Sequence, residues 1–223
     1  MKLLIVEDEQ GLRENIEKYF TEEGSICESC GTLKSAVQKL ALYRYDCVVL
    51  DINLPDGEGF AVLDYLRSND KNECVLIISA RNSLDDKLKG LSIGADDYIT
   101  KPFHLAELKA RLIAVFRRKT FGTNNVLNYK EIVVDLSGRT VDVNGKAILL
   151  TRKEYDMLLY FIANKNKVVS RNAIAEHLWG DDMDTADSFD FIYTHIKNLR
   201  KKLMDSTQKD FITSVYGVGY KFS

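Results

Sequence analysis

Only two prolines occur among the 223 residues, with four cysteines and a net charge of −2. No apolar run approaches the roughly 18 residues that a spanning helix needs. Met1-Lys2 is followed by only four apolar residues before Glu7-Asp8, too few for a signal-peptide core. These absences predict a cytoplasmic protein with no membrane partner. Cys27-x-x-Cys30 is a single pair, whereas a structural zinc needs two further ligands. Cys47 and Cys74 open apolar runs, where small buried hydrophobes are expected. The thiols therefore read as structural instead of metal-binding or redox-active. No internal repeat or low-complexity segment is present. A net charge this small does not announce a nucleic-acid binder; the first 119 residues carry three more acidic than basic side chains and the remainder one more basic than acidic.

What is present is length for two domains, each able to bury its own core. The first half alternates short apolar runs with helical periodicity. Leu12/Ile16/Tyr19/Phe20, Leu33/Val37/Leu40, Phe60/Leu63/Leu66, Leu84/Leu88/Leu91 and Leu105/Leu108/Leu112/Val115 recur every three or four residues and predict five helices packed by those positions. Five strands between them make an α/β, doubly wound parallel five-stranded sheet of flavodoxin-like order 2-1-3-4-5. Residues 119–125 break the periodicity, are rich in turn formers and read as a linker.

Beyond it, residues 132–135, 139–143 and 147–150 are strand-like, and Asn144-Gly145 signals a type I′ hairpin. Thr151 with Glu154 forms a capping box that opens one helix, Ser170 can cap a second, and a third is expected over 187–203. Residues 211–215 and 220–222 flank Gly217-Val218-Gly219 as a hairpin.

Each of the runs 3–6, 48–50 and 75–78 ends on a polar residue or pair: Glu7-Asp8, Asp51 and Ser79. In a parallel sheet the ligand crevice lies outside the carboxyl ends of the strands, so these residues converge with Tyr98 and Lys101-Pro102. Three carboxylates gathered there repel one another and need a cation. Magnesium suits them, because it accepts carboxylate oxygens while keeping water and holding a phosphate oxygen. A lysine and a hydroxyl nearby suit a phosphoryl group, and a carboxylate can itself become an acyl phosphate. Asp51 is the candidate acceptor.

The motifs Val48-Val49-Leu50-Asp51-Ile52-Asn53-Leu54-Pro55 and Gly94-Ala95-Asp96-Asp97-Tyr98-Ile99-Thr100-Lys101-Pro102-Phe103 make residues 1–118 resemble the receiver domain of two-component response regulators. Residues 126–223, ending Gly217-Val218-Gly219-Tyr220-Lys221-Phe222, resemble the α+β winged-helix output domain of the OmpR/PhoB subfamily. The resemblance implies a non-enzymatic transcription regulator that takes a phosphoryl group from a sensor histidine kinase onto Asp51, forms a homodimer when phosphorylated and binds promoter double-stranded DNA, with RNA polymerase as a further candidate partner. It implies magnesium ligated by Asp8 and Asp51, by Glu7 through water and by the Asn53 carbonyl. Lys101 and Ser79 are to contact the phosphoryl group, with Ser79 standing where many relatives have Thr. Ser79 and Tyr98 form the switch pair, and a cis bond is expected before Pro102. Arg81 lies near the mouth of the site.

The dimer surface implied by resemblance pairs Lys87 with Glu107 and Asp97 with Arg111. On the third output helix, Asp190, Phe191, Thr194, His195, Lys197, Asn198, Lys201 and Lys202 lie off the apolar stripe and suit a DNA groove. Asn198 is expected to read a base and Arg200 to hold the backbone, with Phe191 and Tyr216 packing against sugar or methyl groups. Asn198, Asp190 and Tyr216 replace arginines frequent in the subfamily, and Asn favours adenine.

Three other readings compete. A haloacid-dehalogenase-like phosphatase needs a second Asp two residues after the nucleophile, where this chain has Asn53. A flavin-binding electron carrier needs a hydroxyl- and Gly-rich phosphate loop where this chain has Glu7-Asp8. A regulator controlled by a partner without phosphate has no use for the acidic pocket.

Overall fold

The computed structural model describes residues 1–81, 84–180 and 190–223, and contacts divide the chain into two compact units, Met1–Lys119 and Thr120–Ser223. The first runs β1 (Lys2–Val6), α1 (Gln10–Glu22), β2 (Ile26–Cys30), α2 (Leu33–Leu42), β3 (Cys47–Asp51), β4 (Asn53–Leu54), β5 (Gly57–Glu58), α3 (Phe60–Ser68), β6 (Cys74–Ser79), α4 (Leu84–Ile93), β7 (Asp97–Thr100) and α5 (Leu105–Phe121). Its main sheet is parallel in the order β2-β1-β3-β6-β7. That is the expected doubly wound order once the two-residue ribbon β4–β5 is set aside.

The three central strands β1, β3 and β6 are buried along their whole length, which is why they read as unbroken apolar runs. Alternate residues feed two cores. Leu4, Val6, Leu50 and Ile77 pack with α2 and α3 through Leu40 and Leu63, while Leu3, Ile5, Val49 and Ile78 pack with α1 and α5 through Ile16, Phe20 and Leu112. Lys2 is fully buried among them, 3.2 Å from Glu28 Oε1 and over the rings of Tyr43 and Tyr45. Burial of a lysine at the amino end of a central strand thus comes with a counter-ion and two aromatic faces.

Helix α4 departs from the sequence expectation. Its leucines at 84, 88 and 91 are 69%, 55% and 45% exposed; the packed face instead centres on Gly90, which is buried. A Cβ there would lie 2.8 Å from Ile77 Cδ1 and 3.3 Å from the Tyr98 ring, so the missing side chain lets the helix approach the sheet. Periodicity alone could not say which stripe faces inward. Residues 119–125 also differ: the expected linker is helical through Phe121, at the end of α5.

The second unit runs β8 (Val126–Tyr129), β9 (Ile132–Asp135), β10 (Thr140–Val143), β11 (Lys146–Ile148), α6 (Arg152–Ala163), β12 (Val168–Ser170), α7 (Arg171–Trp179), α8 (Asp190–Thr207), β13 (Ile212–Val215) and β14 (Gly219–Phe222). Four antiparallel strands are ordered β11-β10-β9-β8, and three are ordered β12-β14-β13. Strands β8 and β12 were not expected; β8 alternates exposed with half-buried residues and β12 buries only Val169. Asn144 and Gly145 both have positive φ, as a type I′ turn requires. Thr151 and Glu154 complete the capping box, and Ser170 caps α7. Ile192, Ile196, Leu199 and Leu203 of α8 enter a core with Leu158, Phe161, Ile174 and Phe222. The expected start of this helix at 187, with Phe189, lies outside the described residues. No helix among the described residues is long and apolar enough to cross a membrane.

Candidate functional site

At the carboxyl ends of β1 and β3, carboxylate oxygens of Glu7, Asp8 and Asp51 lie within 4.8 Å of one another. Glu7 and Asp51 are buried, whereas Asp8 is exposed, so the cluster opens toward solvent on one side. Lys101, on the loop after β7, bridges the two buried acids: its Nζ lies 2.6 Å from Asp51 Oδ2 and 2.8 Å from Glu7 Oε1. The Lys101–Pro102 bond is cis. Asp51 Oδ1 accepts from Asn53 N–H at 3.0 Å.

The electrostatics follow from burial against pairing. Desolvation pushes the Glu7 carboxyl up, the Lys101 hydrogen bond pulls it down, the Asp51 charge pushes it up again, and it stands raised to about 7. For Lys101 desolvation favours the neutral amine, but its bonds to Asp51 and Glu7 outweigh that and its pKa is raised. A half-buried lysine held charged between two acids is a fixed positive point in the crevice. Glu7 Oε2, although 2.7 Å from the ammonium, makes no well-aligned hydrogen bond. A buried carboxylate oxygen with an open lone pair beside two more carboxylates fits a hard divalent cation.

Several residues not foreseen from the sequence hold this arrangement. Arg13 of α1 donates to the carbonyls of Glu7 and Asp8 at 2.7 and 3.2 Å, fixing the acidic loop. Asp56 accepts from Leu33 and Lys34 N–H at the start of α2, tying down the loop after Asp51. Gly59 sits where a Cβ would meet the Asp51 carbonyl oxygen at 2.2 Å. Their roles are relations between distant backbone segments, which leave no local pattern.

Ser79 ends β6, adjacent to β3, and is fully buried. Its Oγ accepts from Arg81 N–H at 3.1 Å, leaving the hydroxyl proton free to be donated elsewhere. Tyr98 is turned inward, 8% exposed, with its hydroxyl donating to the Arg81 carbonyl at 2.9 Å.

Residues 3–113 match the family described as "Response regulator receiver domain" and residues 145–222 the one described as "Transcriptional regulatory protein, C terminal". The chain is 37% identical over 220 residues to the transcriptional regulatory protein CiaR of Streptococcus pneumoniae, covering 99% of this chain and 97% of that protein. It belongs to the OmpR/PhoB family of response regulators. It is also 38% identical to the transcriptional regulatory protein QseB of Haemophilus influenzae, over 99% of this chain and 97% of that protein. Among solved structures, the receiver domain of the Francisella response regulator 1452 matches with 33% identity and a TM-score of 0.51, over 52% of this chain and 97% of that one. This response regulator therefore joins a receiver to a DNA-binding output domain, the arrangement of phosphorylation-dependent transcription control.

On the receiver, Asp97 of β7 and Glu107 of α5 both pair with Arg111 within one chain, at 3.2 and 2.9 Å. The Glu107 contact, then Asp97, raises the Arg111 pKa. Lys87 is half-buried on α4. Beside these charges stand the exposed α4 leucines and Ile113 of α5.

On the output domain, Tyr193, Thr194, Lys197, Asn198 and Lys201 are exposed along α8. Four sequence readings change here. Phe191 packs edge-on against Trp179 at 4.9 Å, and His195 lies half-buried 5.4 Å from the same indole; neither is a free groove-facing group. Arg200 is paired with Asp210, and Lys202 Nζ lies 2.6 Å from Glu154 Oε2. Sequence could not exclude these two from the basic run, because their partners are ten and forty-eight residues away. Tyr216 stands fully exposed at the β13–β14 turn. The side chain of Asp190 lies outside the described residues.

Cys27 packs with the α1/α5 core and Cys30 with the α2/α3 core. Three residues apart on a strand, they point to opposite faces of the sheet, so one metal or one disulfide cannot hold both. Burial raises both thiol pKa values, Cys27 to about 11, which suppresses the reactive thiolate.

Proposed function

We propose that Asp51 accepts a phosphoryl group from the phosphohistidine of a sensor kinase, or from a small acyl phosphate, and that residues 1–118 thereby control DNA binding by residues 126–223. The observation that carries this is the buried Asp51 carboxylate at the sheet's carboxyl edge, flanked by Glu7 and Asp8 and 2.6 Å from the Lys101 ammonium. Attack by an Asp51 oxygen on phosphorus breaks the donor's bond to it, and the incoming oxygens need compensating positive charge. Lys101 is placed to exchange its bond to Asp51 for one to a phosphoryl oxygen, and Ser79 Oγ–H to donate to another. Asp8 and Asp51, with Glu7 through water and the Asn53 carbonyl, would hold a magnesium ion, whose chemistry is to neutralise charge on the transferring group.

In the phosphorylated state Ser79 favours the side of the pocket holding the phosphoryl group and Tyr98 the inward position. The bias can be no larger than the phosphoryl group's differential interaction with the two states. Helices α4 and α5 with β7 then form a symmetric homodimer. The exposed leucines support this face, since contiguous exposed apolar surface marks interaction sites; Lys87, Asp97, Glu107 and Arg111 set its register. Two output domains bind promoter DNA through α8, with Asn198 reading a base, Thr194, Lys197 and Lys201 facing the duplex, and Tyr216 at the wing tip; RNA polymerase is the next partner. Asp51→Asn tests the core of the reading. Magnesium-dependent labelling by acetyl phosphate is expected to vanish, and undiminished, magnesium-independent labelling of the variant would overturn the assignment.

A further inference from the structure

Two loops enclose the acidic crevice, the one after β1 that carries Glu7 and Asp8 and the one after β3 that carries Asn53, and both hang on one short segment at the start of α2. Glu7 N–H donates to the Cys30 carbonyl at 3.0 Å. Arg13, which donates to the Glu7 and Asp8 carbonyls at 2.7 and 3.2 Å, lies against Gly31, where a Cβ would come within 2.9 Å of Nη1. Two residues further on, Leu33 and Lys34 present N–H groups that the first turn of a helix leaves without an intrahelical partner. Asp56 takes both, Oδ1 at 2.7 Å from Leu33 N and Oδ2 at 2.9 Å from Lys34 N. It reaches them from the tip of the β4–β5 ribbon, in which Asn53 faces Glu58 and Leu54 faces Gly57. A Cβ at Gly57 would stand 2.9 Å from Leu33 Cδ2, so the missing side chain lets the ribbon tip lie against α2.

We propose that Asp56 is a positioning residue for the divalent cation: by locking the ribbon onto residues 31–34, the segment that also backs the Glu7–Asp8 loop, it sets the spacing between Asp8 and the Asn53 carbonyl and makes the crevice selective for magnesium over calcium. The proposal rests on the reading of this crevice as a magnesium site. Glu7 and Asp51 are already held by Lys101. Asp8, which is exposed, and the backbone at Asn53 depend on how their loops are fixed. Magnesium demands near-octahedral oxygens at about 2.0–2.1 Å, whereas calcium accepts a looser set at about 2.3–2.6 Å. Loops free to part would give way to the larger ion, and loops held from behind at a fixed distance penalise it. A charged acceptor gripping two amides at a helix N-terminus is a stiffer anchor than one neutral hydrogen bond. Both Asp56 oxygens are taken by α2, so the residue acts through spacing and not as a ligand.

The test uses the full chain with no phosphoryl donor present. Manganese binding is followed through the electron paramagnetic resonance signal of the free ion, and magnesium or calcium is titrated in as the competitor. Asp56→Ala is expected to weaken magnesium roughly tenfold, the low end of the scale for removing a group that orients a metal's ligands, and calcium by a smaller factor, so that the preference for magnesium narrows. Asp56→Asn keeps one acceptor oxygen and should fall between wild type and Asp56→Ala. Arg13→Ala releases the opposite loop and should narrow the preference as well. The thermal midpoint of each metal-free variant is measured alongside, and a lowered midpoint with an unchanged magnesium-to-calcium preference would show a merely structural role and overturn the proposal. Equal losses of the two ions in Asp56→Ala would overturn it too, as would wild-type magnesium affinity in that variant. Ion binding that survives intact in an Asp8→Asn, Asp51→Asn double variant would instead overturn the magnesium reading, so the two failures are told apart.

Discussion

Lys202 of α8 reaches back to Glu154 of α6, Nζ 2.6 Å from Oε2, and also donates to the Leu149 carbonyl at 2.8 Å. A residue that reads from sequence as part of a DNA-facing basic run is thus the counter-ion of a buried capping carboxylate. Glu154 is nearly inaccessible and at the same time accepts from Thr151 N–H at 2.8 Å.

That pairing predicts an acid-sensitive output domain. Desolvation pushes the Glu154 carboxyl up, but the Lys202 bond and the Thr151 N–H outweigh it and the pKa is lowered from 4.5. A carboxyl depressed on folding contributes stability that is present above its unfolded value and is lost as pH falls through the folded one. Glu154→Gln, which keeps the cap acceptor, should be less stable than wild type at neutral pH, with the gap closing at acidic pH. Lys202→Ala should cost about 1–3 kcal/mol, since it leaves a buried acceptor underpaired. Trp179, the sole tryptophan, reports unfolding of this unit by fluorescence. A gap that does not depend on pH would refute the linkage.

DNA binding should divide the α8 residues by role. Lys197→Ala and Lys201→Ala are expected to weaken specific and random duplexes alike, each lowering the salt slope by roughly one counterion. Asn198→Ala should cost about 1–3 kcal/mol on the specific site alone. Arg200→Ala, given its Asp210 partner, should change DNA affinity little and stability by about 0–1 kcal/mol. Titrations of both duplexes across a salt series measure all four, and a sequence-selective loss from Arg200→Ala would contradict this division.

The dimer face should depend more on its leucines than on its charges. Arg111 already has Asp97 and Glu107 within the chain, so forming pairs across a dimer exchanges one set of ion pairs for another, and exposed pairs contribute only about 0–1 kcal/mol. Burying a leucine contributes roughly 1.5–3 kcal/mol, and symmetry doubles it. Leu88→Ser should therefore weaken dimers of the phosphorylated protein more than Glu107→Lys, with Lys87→Glu partly restoring the latter. Sedimentation velocity with and without acetyl phosphate is the measurement; identical behaviour of every form would count against this face.

Gly59→Ala should damage the acidic crevice from behind. Its new Cβ would lie 2.2 Å from the Asp51 carbonyl oxygen and 2.9 Å from Ile52 Cα, both backbone atoms that cannot rotate aside. The expected result is a lower thermal midpoint of the receiver and at least a tenfold slower labelling of Asp51, because roughly an ångström of misplacement at a reacting group has that order of cost. Wild-type labelling kinetics would show that the loop accommodates the methyl group.

Element types and sheet order in the receiver follow from the sequence because buried parallel strands impose unbroken apolar runs at 3–6, 48–50 and 75–78, each ending on polar groups that the sheet brings to one edge. The acidic trio and Lys101 are legible for the same reason: strand ends are local features, and topology does the rest. What tertiary structure decided are pairings between distant segments. Helical spacing marks Leu84, Leu88 and Leu91 as a stripe, yet only the close approach at Gly90 determines that this stripe faces outward. Charge marks Arg200 and Lys202 as basic, yet Asp210 and Glu154 take them. Arg81 is one more loop arginine in sequence, and it becomes a link among Ser79, Tyr98, Asn53 and Glu58 only once four segments meet. Periodicity and strand-end chemistry are written along the chain, whereas the face a helix turns inward and the partner a charge finds depend on which backbones can come close, a property of the packed molecule.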